Sequence, residues 1–185
     1  MPEAPFQKTW KVGDPVLAAD LNTNIRDGYL YQLQNRPAAR AVATPTTGVT
    51  TAVTGTWTVI NFALADQTFD IVDNTFSIAN RFDCVVPGLY LVTGCVSWAN
   101  NATGGRAIRF TINGTAQIGI KSCQATPAGG IPTALTMTRL LYMTKADILR
   151  MEGFQTSGGN LNTNTANGEC SSLQVLFVTS GTGIR

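Results

Sequence analysis

Histidine is missing from this chain altogether. With it go the commonest general base, the commonest metal ligand and the side chain that changes charge near neutral pH. Ser-His-Asp, Cys-His and His-Glu-x-x-His chemistries are excluded outright. Charge is scarce as well: Asp, Glu, Lys and Arg make up 13% of the 185 residues, about half the usual share. The 13 basic and 11 acidic side chains are scattered and leave a net charge of +2, so no surface for a polyanion is legible and nucleic acid is not an expected partner. No apolar run reaches the roughly 18 residues of a membrane span, and the N-terminal segment lacks a basic stretch followed by an apolar one. Neither membrane insertion nor export by a cleaved signal is expected.

The few acidic residues do not assemble into a reactive pair. Asp66, Asp70 and Asp73 form the single cluster, but no Asp-x-Asp-x-Asp-Gly calcium loop is present and they read as turn and strand-end residues. Glu152 falls on an expected strand and Glu169 in a polar loop, with nothing to bring them together as a glycosidase requires. Catalysis, cofactor binding and metal binding are therefore not expected. Cys84, Cys95, Cys123 and Cys170 follow no zinc or CxxC spacing. They lie in or beside expected strands, where free thiols act as small hydrophobes, although disulfides stay open.

What the chain does contain is an ordinary apolar share of 44%, with long Val, Ile, Leu and Phe stretches alternating with Thr. That composition argues against disorder and for a mostly β protein. Residues 1–40 carry the helical signal: Leu17, Leu21, Ile25, Tyr29 and Leu33 recur every fourth residue. Asp14 is placed to cap, Pro15 suits the first helical position, and Pro37 stops the helix after about five turns. The stripe is narrow and stands apart from the β segments, so it is expected to dock on a partner.

From residue 41 to 185 the period changes, and short strands alternate with Gly, Pro, Asn and Asp turns. Strands are expected near 41–45, 56–63, 69–72, 81–86, 88–98, 106–112, 116–124, 133–144, 147–155 and 172–179. The segment around Leu140, Leu141, Tyr142 and Met143 is apolar on both faces, as a strand needs when one face fills a core and the other meets a neighbour. At Asn113-Gly114 a three-residue turn with a bulge is expected, because it sets Phe110 opposite Ile118 and Ile108 opposite Ile120. Trp57 and Trp98 read as core residues, and Trp10 belongs to the N-terminal arm. The polar Asn/Thr/Gly segment Ser157 to Gly168, with Asn160, Asn162, Asn164 and Asn167, is longer than typical connections and is a candidate recognition tip.

Particular residues carry a family likeness. The segment Phe82-Asp83-Cys84-Val85-Val86-Pro87-Gly88-Leu89-Tyr90-Leu91-Val92, the stretch from Val96 to Arg106, the hairpin from Arg106 to Gly114, and Phe154 to Leu161 resemble the C1q/TNF-like jelly roll in its bacterial and bacteriophage form. The family's Gly-Asp-x-(Val/Ile) is Lys145-Ala146-Asp147-Ile148 here, keeping the Asp and losing the Gly. Upstream, Trp10-Lys11-Val12-Gly13-Asp14-Pro15-Val16-Leu17-Ala18-Ala19-Asp20-Leu21-Asn22-Thr23-Asn24-Ile25-Arg26-Asp27 is similar to a short N-terminal module of tailed-bacteriophage structural proteins.

The resemblance implies a ten-stranded, two-sheet jelly roll behind a helical arm, assembled as a homotrimer in a virion. The arm would attach it to a tail or capsid protein through Trp10, Leu17, Leu21, Ile25, Tyr29 and Leu33. Leu140 to Met143 would face the trimer, and the outward loops would meet a host-surface glycan or protein. The alternative is a purely architectural capsid decoration or a neck or tail fibre protein without a receptor.

Overall fold

The computed structural model describes residues 11–15, 17–27, 36–43, 50–62, 67–70, 80–125, 132–165 and 170–180. Trp10, Tyr29, Leu33, Asp66, Asp73, Asn167 and Glu169 lie outside them. Twelve strands are described: β1 Ala38–Val42, β2 Thr51–Ala52, β3 Thr58–Val59, β4 Gln67–Asp70, β5 Phe82–Asp83, β6 Gly88–Trp98, β7 Gly105–Ile112, β8 Thr115–Ala125, β9 Thr133–Met143, β10 Ile148–Gln155, β11 Leu161–Asn162 and β12 Ser172–Thr179. One sheet runs β4-β1-β12-β6-β9; the other runs β3-β10-β7-β8 with β5 also on β10; β2 and β11 form a small ribbon.

The long strands are where period-two alternation is strongest, because each must bury one face and wet the other. Along β10, Leu149, Met151 and Gln155 are buried while Arg150, Glu152 and Phe154 are half-buried. From β6 the core takes Tyr90, Val92, Val96 and Trp98, from β7 Ile108 and Phe110, and from β12 Leu173, Val175 and Phe177. Tyr90 stands edge-on to Phe82 and Phe177 at centroid distances of 5.8 and 5.3 Å, and its hydroxyl donates to the Val86 carbonyl. Each such aromatic pair adds about 1 kcal/mol beyond area burial.

Several boundaries differ from the sequence expectation. β1 begins at Ala38, with Ala38 and Ala39 buried and the Pro37 carbonyl accepting from Phe177 N–H at 2.8 Å. The β region therefore starts before the expected 40/41 division. In the arm, α1 spans Ala18–Leu21 and continues as a π-helical turn over Asn22–Asp27. Its N-cap is Leu17, without a side-chain cap, so Pro15 does not open the helix. Asp14 is occupied elsewhere: its carboxylate accepts from Lys11 N–H at 3.0 Å and its own N–H reaches the Lys11 carbonyl, closing a turn over Gly13 at φ +95°. Asp14 therefore lies three residues ahead of the N-cap position that a capping side chain has to occupy.

The Asn113-Gly114 loop has two residues, not three: Ile112 pairs with Thr115 and Thr111 with Ala116. Both loop residues have positive φ, 52° and 78°, as a type I′ turn requires. The bulge lies inside the ladder, between Arg109 and Thr111, and it puts Ile108 opposite Ser122 in place of Ile120. β2 and β11 were not expected at all.

At the other end of β9, the turn into β10 holds Ala146 at φ +73°, where the family pattern has Gly. A Cβ in left-handed backbone costs about 1 kcal/mol. Ala146→Gly is therefore expected to raise stability by roughly 0.5–1 kcal/mol, read as a higher denaturation midpoint at unchanged slope.

Candidate functional site

The sheet β4-β1-β12-β6-β9 turns one face into the sandwich, and the side chains on its other face line up in rows set by the register. Leu176, Leu91 and Leu140 sit side by side across β12, β6 and β9, and Leu89 sits beside Tyr142 in the adjoining row. Leu140 is 57% exposed, Tyr142 49%, Leu176 41% and Val178 38%. Large apolar side chains this open are unremarkable singly, but in adjoining rows they make a continuous patch. The next row is polar: Gln174 and Thr138 flank Thr93, and the two threonine hydroxyls lie 3.1 Å apart.

The doubly apolar segment of β9 divides as its pleat requires. Leu140 and Tyr142 belong to the outer patch; Leu141 and Met143 are buried in the core at 6% and 0% exposure. This corrects the expected interface set, since Leu141 and Met143 are already used within one chain. Leu89, Leu91, Leu176 and Val178 join the patch and were not singled out in the sequence. The signal was there, in apolar residues on both sides of Leu89 to Val92 and Leu176 to Val178.

In the arm, Leu17 and Ile25 are 56% and 63% exposed, and Val12 is fully open. Leu21 closes α1 between them.

The expected recognition tip is largely tied down. Leu161 and Asn162 pair with Ala52 and Thr51 across β11 and β2, Thr163 bridges to Trp98, and Leu161 and Thr163 are buried. Asn162 accepts from the Thr51 hydroxyl at 2.7 Å, and Asn164 N–H donates to the Ser97 carbonyl at 2.7 Å. Buried Gln155 organises the rest: its amide donates to the Ala52 and Gly159 carbonyls at 3.0 and 2.8 Å and accepts from Ser157 N–H at 2.6 Å. Asn160 is exposed, and Ser157 is half-buried with its hydroxyl on the Gly159 carbonyl. The neighbouring loop is pinned by Arg106, whose buried guanidinium donates to the carbonyls of Asn101, Thr103 and Gly105. Burial of that charge lowers the Arg106 pKa.

Solved structures of similar shape were found, each far below the identity that carries function. The globular domain of zebrafish complement 1qA protein aligns over 79% of this chain and 100% of its own, with TM-score 0.54 and 16% identity. The Eiger TNF from S. frugiperda aligns over 81% of this chain and 98% of its own, at TM-score 0.55 and 11% identity. The fold is a C1q/TNF-like jelly roll. Murine APRIL gives the same result, with TM-score 0.55, 9% identity, and coverage of 77% of this chain and 99% of its own. No protein-family model and no curated protein matches the sequence.

Within this C1q/TNF-like jelly roll, the residues that carried the likeness are structural. Phe82 and Tyr90 are core, Gly88 opens β6, and Asp147 ties two turns together. Asp147 accepts from Thr144 N–H and hydroxyl at 2.7 and 2.9 Å and from the Asn113 amide at 2.7 Å, while Asn113 accepts from Ile148 N–H. Partial burial pushes the Asp147 carboxyl up, but the hydrogen bonds from Thr144 and Asn113 outweigh it and hold it below the usual carboxylate range. The stability it contributes is present above the ordinary carboxylate range and is lost as pH falls through its folded-state value.

Cys84, Cys95 and Cys170 are free thiols, and the side chain of Cys123 is outside the described set. Burial drives Cys84 up to about 11, against the lowering hydrogen bond with Tyr90, so it stays protonated and inert near neutral pH. Among the described residues, no group of three or more Cys, Asp or Glu is placed to hold a metal ion.

Proposed function

We propose that the chain is a bacteriophage virion structural protein: a homotrimeric jelly roll, fixed to a tail or capsid protein by its N-terminal arm and presenting its outer surface to the host. The observation that carries the reading is the patch of Leu89, Leu91, Leu140, Tyr142, Leu176 and Val178 on the outer face of a C1q/TNF-like sheet. A second copy of the same chain is the occupant that such a face fits, because closed symmetric association removes the patch from water on every subunit at once. The arm supplies a separate apolar set, in which Leu17 and Ile25 remain open to solvent, and its sequence follows the spacing of the phage module.

The architectural reading keeps a specific observation in its favour: the segment from Ser157 to Asn164 is bonded into the domain and does not stand out as a tip. On the recognition reading, the host contact uses another part of the surface.

The test is made on particles. With Leu17→Asp and Ile25→Asp together, the protein is expected to fold but to be absent from purified virions. Retention at the parental copy number would contradict attachment through the arm. Particles that lack the protein separate the two readings: loss of adsorption supports recognition, and normal adsorption with fragile particles supports architecture.

A further inference from the structure

The second sheet carries a different outer surface. Trp57 immediately precedes β3, and the pairing of Val59 with Glu152 and Thr58 with Gly153 brings it opposite Phe154. The two rings lie 5.2 Å apart at 39°. The guanidinium of Arg109 on β7 stacks 4.2 Å from the Trp57 ring centre, and its nitrogens bind the Glu152 carboxylate at 2.6 Å. Alternation along β10 puts Arg150 on the same face. All five side chains are half-buried, so each is held in place while part of it meets water. Trp57 was expected in the core with Trp98, yet only Trp98 is there.

We infer that this strip is a binding platform for an acidic polysaccharide. With Arg109 over one face of the Trp57 ring, the aromatic area left is too small to be the core of a protein interface but matches the C–H face of a single sugar ring. The surrounding groups fit hydroxyls and an acid. Glu152 and Arg109 fix each other and keep lone pairs and N–H groups for hydroxyls. Of the other charged groups toward this sheet, Asp83 is taken by Arg81. Arg150 has no carboxylate partner among the described residues, which leaves a guanidinium for a uronate carboxylate. Because the platform is held rigid by stacking and an ion pair, little ordering is lost on binding.

The inference rests on the host-recognition half of the proposed function and moves the contact from the Ser157–Gly168 segment to this sheet. It also lies on the sheet opposite the apolar patch, so a trimer leaves it open.

The test is calorimetric titration of the full-length protein with an oligogalacturonate and with a neutral oligosaccharide of equal length. Trp57→Ala should weaken binding of both at least tenfold, with Trp57→Phe recovering most of the loss. Arg150→Gln should weaken the uronate about tenfold and leave the neutral sugar unchanged. Asn160→Ala should change neither. Failure of the parent to bind either sugar, or parental binding by Trp57→Ala, overturns the platform; preference for the neutral sugar overturns the acidic class. The mass of the same samples keeps the two readings apart. A monomer that binds the uronate contradicts the trimer and leaves the platform standing, and a trimer that binds neither sugar removes the platform alone.

Discussion

Gly153→Ala is expected to destabilise the domain by about 3 kcal/mol, near the upper end of what one inserted methyl does in a packed core. A Cβ at this position would lie 2.7 and 2.8 Å from the Cζ2 and Cη2 atoms of Trp98 and 3.0 Å from Ile60 Cδ1. Trp98 and Ile60 are both at 0% exposure, and a buried indole has no flexible end to swing aside. Gly153 sits in the middle of β10, paired with Thr58 on one side and Ile108 on the other, so the backbone is held from both edges. Gly159→Ala provides the comparison. Its Cβ would meet nothing within 4 Å. Urea unfolding at fixed protein concentration should show the Gly153 variant losing clearly more than the Gly159 variant. Equal losses, or a Gly153→Ala change within about 0.5 kcal/mol of zero, would contradict the packing described for Trp98.

Leu140→Asp combined with Tyr142→Asp is expected to convert the proposed trimer into a folded monomer. Both side chains are about half open in the single chain, so their loss should cost the isolated domain little, within roughly 0.5 kcal/mol each. In an interface the same carboxylates would be desolvated without partners, a penalty of several kcal/mol per ion that a row of leucines cannot offset. The neighbouring Leu141→Asp is the contrast, since it places the charge inside the sandwich and should prevent folding altogether. Sedimentation and far-UV circular dichroism on the two proteins check both halves. A double variant that keeps the parental mass would show that this face is not the association surface.

How much of this was legible in the sequence follows from where the local signal and the tertiary outcome agree. β6, β7, β9, β10 and β12 were placed within a residue or so, because alternation over eight or more residues leaves one register that buries the apolar set. β2 and β11 were not legible: two-residue strands have no period, and they exist because Leu161 and Ala52 pair at the end of the sandwich. At Asn113-Gly114 the sequence expectation puts the register offset in the turn, whereas the dipeptide takes the mirror-image turn and the offset is absorbed further along β8.

The candidate sites were legible in type and less so in detail. The apolar residues on both sides of β9 divide into one face buried in the core and one exposed, and composition cannot tell Leu140 from Leu141 without the pleat. The Asn-rich segment after β10 read as a loop because its polarity is high, while the Gln155 amide that holds it lies outside it in sequence. Trp57 and Trp98 look alike in the sequence; the pairing of β3 with β10 sets Trp57 on the outer face of one sheet, and alternation along β6 sets Trp98 in the core.

Trimeric association is tested most directly by the solution mass of the unaltered chain, measured by light scattering across a range of concentrations. A trimer has three times the 19.7 kDa chain mass, and that is the expected result. A mass of 19.7 kDa at every concentration would contradict it, leaving the apolar face of the β4-β1-β12-β6-β9 sheet to some other partner.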